Sequence, residues 1–243
     1  MKTTTTGTGG RRQWFTTTSW TMVEHAQLGA QEALERLCSV YWYPIYVYIR
    51  RVGYSPQDAE DLAQGFFYEL LEKNYFRAAH RGRGKFRSFL LVSLKYFLEN
   101  DKDLRRAQKR GGGVPLISLD DETAEERYHK EPASDLSPEK LFDQHWARTV
   151  LEQVQARLRD EYRGHGKLAL YERLHGFLSE ETEMRDYDRV GAELQMRPGT
   201  VAVAVHRLRH RYRELVREEI ARTVASPADV DSEMRHFYAA LTG

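Results

Sequence analysis

The sequence predicts an all-α protein with two small helical domains joined by an acidic linker, the second domain containing a helix-turn-helix. Apolar residues recur mainly at intervals of three and four, the helical period, and neither strand patterns nor internal repeats are evident. A glycine run at 111–113, followed by many acidic residues, separates two helical halves. The predicted segments are a disordered tail at 1–18, a first domain at 19–112, a linker at 113–137, a second domain at 138–222 and a C-terminal helix at 223–243.

The amino-acid composition restricts the classes of protein to which the chain can belong. The 243 residues are 41% hydrophobic, enough for packed cores, and the net charge is only +1, so a nucleic-acid surface requires local gathering of basic residues. Cys38 is the only cysteine, which excludes an internal disulfide and a cysteine-cluster metal site. No apolar run reaches the ~20 residues that span a bilayer. We expect a cytoplasmic protein that makes no membrane contact.

Catalytic and metal-binding signatures are missing from the sequence. There is no Gly-rich phosphate-binding motif, no metal-ligand cluster, and no Ser/His/Asp or Cys/His arrangement. His206 and His210 are four residues apart, but a single pair without a third ligand is more typical of a basic helix surface than of a metal site. We therefore expect a protein that is not an enzyme and holds no cofactor or metal.

The first domain opens with a helix that leads into a dense aromatic cluster. Aromatic side chains at this density are typical of a core, with base stacking as the alternative use. Ser55 and Pro56 form an N-cap and a first helical position for the next helix. In that helix Leu62, Phe66 and Leu70 form an inward stripe. The cluster consists of Tyr41, Trp42, Tyr43, Tyr46 and Tyr48.

Residues 80–110 form a basic block with interleaved aromatic residues. Basic side chains bind the backbone of a single nucleic-acid strand, and aromatic faces stack on its bases. The alternative is a set of core phenylalanines beside a solvated charged face, and we expect most of the phenylalanines to be core. Tyr96 is the best stacking candidate. The basic residues are Arg81, Arg83, Lys85, Arg87, Lys95, Lys102, Arg105, Arg106, Lys109 and Arg110.

The second half begins after an acidic linker, a composition that is commonly just solvated. Ser137 and Pro138 restart a helix that carries Trp146 and Val150. Further on, Tyr187, Val190, Gly191 and Leu194 recur at helical spacing, and a break at 197–199 precedes a second periodic run from Val201 to Leu215. The polar faces of this run are rich in arginine, which suits a helix laid in a DNA major groove. An αα-hairpin with a solvated basic face is the alternative.

At these residues the chain resembles region 4 of bacterial sigma factors of the sigma-70 family. The matching stretches are Tyr187–Leu194 (YDRVGAEL), Gly199–Val201 (GTV), His206–Arg209 (HRLR) and Tyr212–Leu215 (YREL). The most similar class is the extracytoplasmic-function (ECF) type, which has only regions 2 and 4. The family often has Lys or Arg where this chain has Ala202 and Ala204.

Two stretches in the first half resemble sigma region 2. Asp58–Leu62 (DAEDL), followed by Gln64 and Phe67, resembles the helix that grips the clamp helices of the polymerase largest subunit, although Gly65 replaces the usual acidic residue. Phe86–Leu91 (FRSFLL) resembles the start of the segment that melts the promoter. Further along, Tyr96 and Asn100 stand where the family often has Asn and Asp, so the bases read there do not carry over.

The resemblance implies a sigma factor that directs RNA polymerase to specific promoters and initiates transcription. Its partners would be promoter DNA, an anti-sigma factor, and core polymerase through the clamp helices of the largest subunit and the flap of the second largest. In this family the linker threads toward the active-site and RNA-exit channels, where an acidic linker mimics nucleic acid. The alternative is a helix-turn-helix regulator that does not bind core polymerase.

Three sets of site residues follow from the motifs and the resemblance. Within the upstream-element set, Thr200 and His206 can hydrogen-bond to bases, whereas Arg207 and Arg211 are expected to reach phosphates. That set is Arg197, Gly199, Thr200, Val203, His206, Arg207 and Arg211. The melting set is Lys85, Arg87, Lys95, Tyr96 and Asn100. The polymerase-binding set is Asp58, Asp61, Leu62, Gln64 and Phe67.

Overall fold

The computed structural model describes residues 31–72, 85–107, 124–131, 134–178, 184–224 and 226–242. These residues are about 89% helical and form no strand, so the predicted all-α class is confirmed. None of the described helices is long and apolar enough to cross a membrane. The predicted tail at 1–18, the glycine run at 111–113 and the basic residues Arg81, Arg83, Lys109 and Arg110 lie outside the described residues.

The described helices follow one another in a simple order. The first three are α1 (Gln31–Val52), α2 (Pro56–Glu72) and α3 (Phe86–Ala107). A short helix, α4 (Ala124–Lys130), lies in the predicted linker, and α5 (Pro138–Gly164) follows it. The remaining helices are α6 (Leu168–Leu174), α7 (Met184–Leu194), α8 (Pro198–Arg222) and α9 (Val230–Thr242), with 3-10 turns at His175–Leu178 and Pro227–Asp229.

Two predicted helix starts are confirmed by their capping contacts. The Ser55 hydroxyl accepts a hydrogen bond from the Asp58 amide at 3.2 Å, and the Ser137 hydroxyl accepts one from the Lys140 amide at 3.3 Å. In each case a serine oxygen satisfies an amide that the helix itself leaves without a partner, and proline occupies the first helical position. Gly53, at φ 107°, provides the left-handed turn that ends α1 before α2 begins.

One continuous hydrophobic core runs through both halves of the chain. The most extensive helix pairing among the described elements joins α1, from the predicted first domain, to α5, from the predicted second. Tyr43 meets the His145 ring edge-on at 5.2 Å, and the Gln153 amide donates to the Ser39 hydroxyl at 3.1 Å. Helices from either side of the predicted linker at 113–137 therefore pack on each other, and α5 covers part of the apolar surface of α1.

The aromatic cluster of α1 belongs to this core, as predicted. Tyr41, Tyr43, Tyr46 and Tyr48 are buried, and only Trp42 is partly exposed. The Tyr41 ring packs edge-on against Phe86 at 5.3 Å. These rings are therefore packing groups, and the alternative of base stacking does not apply to them in this structure.

The acidic linker is docked, rather than simply solvated, where α4 crosses α1. The carboxylate of Glu125 receives two hydrogen bonds from the Arg50 guanidinium, both at 2.9 Å, and another from the Tyr46 hydroxyl. Glu131 accepts a hydrogen bond from the Tyr43 hydroxyl at 2.6 Å. Burial alone would raise the pKa of Glu125, but the hydrogen bonds from Arg50 and Tyr46 hold that pKa below its ordinary value. Charge-assisted contacts of this kind fix the linker to the core.

A core substitution tests whether the two halves fold as one unit. Phe142, on α5, has no exposed surface. Replacing it with alanine should lower the free energy of unfolding by about 3–5 kcal/mol, the usual cost of deleting a buried aromatic ring. Amides of α1 and α8 should then lose protection together in hydrogen-exchange measurements in mild denaturant, because both helices pack on α5.

The matched control is Tyr96→Ala, since Tyr96 is 62% exposed and should cost less than about 0.5 kcal/mol. Loss of protection confined to residues 138–222 would show that the halves are separate units.

Candidate nucleic-acid interface

Helices α7 and α8 are joined by a tight turn of three residues, Gln195 to Arg197. Gln195 has a positive φ of 55°, and the Met196 amide donates to the Gly191 carbonyl at 2.8 Å, so the chain reverses direction at the end of α7. Arg197 has extended backbone angles and precedes Pro198, which occupies the first helical position of α8. The turn therefore lies at 195–197, two residues earlier than the predicted break at 197–199, and Pro198 and Gly199 belong to the first turn of α8.

Gly191 makes this close approach possible. A Cβ atom at this position would lie 2.8 Å from the Met196 carbonyl oxygen and 3.7 Å from Val201 Cγ2. Because the first neighbour is backbone, it cannot move aside as a side chain would. The glycine therefore lets the turn fold back against α7 and fixes where α8 begins.

Helix α8 divides into a buried and an exposed face. Its apolar residues lie on one side and pack mainly on α5 and α7. The opposite side is polar and basic near the start of the helix, where Val203, 50% exposed, is the only large apolar residue. The buried side is Val201, Val205, Leu208, Leu215, Val216 and Ile220. The exposed side is Pro198, Gly199, Thr200, Val203, His206, Arg207, His210, Arg213, Glu214 and Arg217.

The start of α8 is suited to binding an anion. No side chain caps it, and its first turn carries no acidic residue. A helix start carries partial positive charge that favours a phosphate. Pro198 has no N–H and the Thr200 amide donates to the Arg197 carbonyl at 2.8 Å, so Gly199 supplies the first-turn amide that is suited to such a ligand. Thr200 and His206 add groups that can hydrogen-bond to base edges. All the predicted upstream-element residues from Arg197 to Arg207 are exposed at this end of the helix.

Arg207 and Arg211, predicted to act alike, lie in different surroundings. Arg207 is exposed, and within the described part of the chain its guanidinium pairs with no carboxylate. Arg211 is held by Glu161, with two hydrogen bonds of 2.9 Å, and by Glu214 and Glu218 at 3.1 and 3.2 Å. The hydrogen bonds to Glu161 raise the pKa of Arg211 above its ordinary value. The expectation that Arg211 reaches a phosphate is corrected: it joins α8 to α5.

The predicted melting residues on α3 are split between the surface and the interior. Tyr96 and Asn100 are exposed, one helical turn apart, with exposed Val92 one turn before them. Lys95 is half exposed and pairs with Glu139 on α5 at 2.8 Å. Arg87 is only 5% exposed and pairs with Asp143 and Glu233, so in this conformation it cannot contact DNA. Most of the phenylalanines of this block pack in or against the core, as expected.

The predicted polymerase-binding residues on α2 are likewise divided. Leu62 and Phe67 are buried, and Phe67 stacks on Trp42 at 5.9 Å, so both are core residues. Asp58 hydrogen-bonds to Ser55 at the helix start. Asp61 is fully accessible and Gln64 partly so, three residues apart on one side of the helix. Only these last two remain as candidates for a protein contact.

The sequence missed the carboxylates that engage the predicted basic residues. Asp143, Glu161 and Glu233 come from other helices, and no local pattern marks them as partners.

Among the described residues, no group of three or more His, Cys, Asp and Glu side chains could hold a metal ion. Comparison with protein-family models, curated proteins and solved structures finds no match. Function is therefore inferred from the residues themselves.

A substitution at Gly191 tests the turn. Gly191→Ala should lower the free energy of unfolding of the α7–α8 region by about 1–3 kcal/mol, because the added methyl group overlaps the Met196 carbonyl. Thermal unfolding, together with hydrogen exchange of α7 amides, measures the loss.

Gly199→Ala is the matched control, since a Cβ there meets nothing within 4 Å and alanine favours the helix by about 0.5–1 kcal/mol. Equal destabilisation by both variants would contradict a special role for the close approach at Gly191.

Proposed function

We propose that this protein is a sigma factor of the ECF type, a promoter-specificity subunit of bacterial RNA polymerase. The observation that carries the proposal is the start of α8: a glycine-dependent turn leads into an exposed, basic helix face that no side chain caps. This is the chemistry that a recognition helix offers to the major groove, with amides and arginines for phosphates and short polar groups for base edges. The resemblance of residues 187–215 to sigma region 4 supports the same function.

Two further exposed surfaces favour a sigma factor over a simpler DNA-binding protein. On α2, Asp61 and Gln64 form a polar surface of the kind that another protein contacts. On α3, Tyr96 and Asn100 offer an aromatic face and an amide suited to unstacked bases. A regulator that binds only duplex DNA has no need of either surface.

The second candidate is a helix-turn-helix regulator that works without polymerase. The observation that favours it is the shared core of α1 and α5, together with the burial of Arg87. In this conformation the basic start of α8 is accessible, whereas part of the predicted melting surface is not. Such a molecule can bind duplex DNA without a change of conformation.

Polymerase binding separates the two candidates. We expect the protein to bind core RNA polymerase and to start transcription from a defined promoter in a purified system. Asp61→Ala with Gln64→Ala should weaken binding to core at least tenfold, about 1.4 kcal/mol, because both contacts of the exposed α2 surface are lost. Fluorescence titration of labelled protein with core measures this affinity.

Glu152→Ala with Gln155→Ala, an exposed acid and an exposed glutamine three residues apart on α5, is the matched control, and it should leave binding to core within twofold. If the wild-type protein binds duplex DNA specifically but has no affinity for core, the regulator is the correct function.

The DNA contact of α8 gives a second test. Arg207→Ala should weaken binding to every duplex sequence about equally and reduce the salt dependence by about one unit, as loss of one phosphate contact does. Arg211→Ala should leave that slope nearly unchanged, because its guanidinium is already held by Glu161, Glu214 and Glu218. Titrations at several salt concentrations, on the preferred site and on scrambled DNA, measure both quantities. A larger slope change for Arg211→Ala would reverse the two assignments.

A further inference from the structure

A buried group of charges connects the start of α3 to the C-terminal half of the chain. The Arg87 guanidinium lies 2.5 Å from Asp143 Oδ1 on α5 and 3.2 Å from Glu233 Oε1 on α9. The Lys85 ammonium lies 2.8 Å from the other oxygen of Glu233. We call these four residues the ionic lock.

The ionic lock is largely shielded from water, with the Lys85 side chain 26% exposed and that of Asp143 16%, and His236 Nε2 also lies 2.9 Å from Asp143 Oδ2. Its two cations face two carboxylates, and the Glu233 side chain has no exposed surface. The ring of Trp146 covers Arg87, whose guanidinium carbon lies 5.2 Å from the ring centre, and Phe237 packs against that ring in turn. Removing one partner of such a group leaves an uncompensated buried charge, so the remaining groups must move toward water.

Two backbone contacts also hold the start of α3. The Phe86 amide donates to the Thr223 carbonyl at 3.0 Å, and Lys85 forms an isolated antiparallel bridge with Val224. The start of α3 is therefore held both by charges and by the chain between α8 and α9.

The pairing extends along α3. Lys95 contacts Glu139 of α5 at 2.8 Å, so each of the three basic residues predicted to bind melted DNA faces a carboxylate from residues 138–236. Tyr96 and Asn100, which carry no charge, remain exposed on the same helix. The basic side chains are occupied by acids, and the neutral site residues are left free.

We propose that the ionic lock is an autoinhibitory contact, in which Asp143 and Glu233 take the place of DNA phosphates on Lys85 and Arg87. This inference rests on the proposed function, since it assigns α3 to single-stranded DNA. Arg87 is only 5% exposed and lies against the Trp146 ring, so a phosphate cannot reach its guanidinium while Asp143 and Glu233 hold it there. Binding of a single strand must therefore open the lock, and opening the lock must favour the strand.

The experiment neutralises the lock carboxylates in the full-length protein. Glu233→Gln and Asp143→Asn keep the side-chain shape and remove the charge, and each should raise affinity for a fluorescein-labelled oligothymidine about tenfold. The gain should come with a salt dependence steeper by about one unit, because Arg87 adds a phosphate contact. Asp229→Asn, just before α9, makes the same change in net charge outside the lock and should have no effect.

A double variant distinguishes an autoinhibitory contact from ion pairs that only stabilise the fold. Arg87→Gln added to Glu233→Gln should remove the gain, because the released guanidinium carries it. Circular dichroism checks folding, and if Glu233→Gln does not fold, Asp143→Asn decides the question, since its carboxylate is more exposed.

The outcomes separate this proposal from the proposed function. If the folded variants bind oligothymidine no better than wild type, while Arg207→Ala still weakens duplex binding, the lock is overturned and the function stands. If the gain persists without Arg87, the lock is overturned as well. If the variants gain single-strand affinity but the wild-type protein binds neither core polymerase nor a specific duplex, the sigma-factor function is overturned.

Discussion

The packing of α1 on α5 is the contact on which the rest of the structure depends. It covers the apolar faces of both helices, and every other described element is attached to one of them directly or through a neighbour. Helix α4 docks on α1 through Glu125, whereas α8 and α9 pack on α5. Buried side chains from both helices meet at this contact, as where the Tyr43 ring of α1 lies edge-on against the His145 ring of α5 at 5.2 Å. The positions of the candidate DNA surfaces therefore follow from one helix pair.

The basic surface of α8 arises from where the carboxylates lie, because the chain as a whole is almost neutral. Glu214, Glu218 and Glu219 all fall in the second half of the helix, and with Glu161 of α5 they engage the nearby arginines. The first half of α8 contains no acid, and Arg207 there is exposed and pairs with no carboxylate of the described residues. Arg209 is partly buried and donates to the Phe177 carbonyl at 2.8 Å. The distribution of carboxylates along α8 therefore engages Arg211 and leaves Arg207 accessible.

How much the sequence could predict depends on how local each feature is. The helix starts at Ser55 and Ser137 and the core role of the α1 aromatics follow from neighbouring residues and are found correctly, whereas the break predicted at 197–199 falls two residues after the turn. Contacts between residues far apart in the chain are not found in this way. Arg87 and Glu233, for example, are 146 positions apart. Arg207 and Arg211 are the same residue type one turn apart on the polar side of α8. Arg211 differs from Arg207 because Glu214 and Glu218 follow it on α8 and Glu161 reaches it from α5. The first two can be read from local spacing, whereas no periodicity of α8 reveals Glu161.

The two candidate DNA contacts also differ in what they require of the protein. The start of α8 is exposed, so a duplex can bind there while α1 and α5 stay packed. A contact through Arg87 requires an open ionic lock, so its binding free energy is reduced by the cost of opening. Under the proposed function, duplex binding therefore comes first, and single-strand binding follows once another interaction contributes to opening. Coupling of this kind is reciprocal: whatever separates α3 from α9 strengthens single-strand binding, and the bound strand in turn keeps them apart.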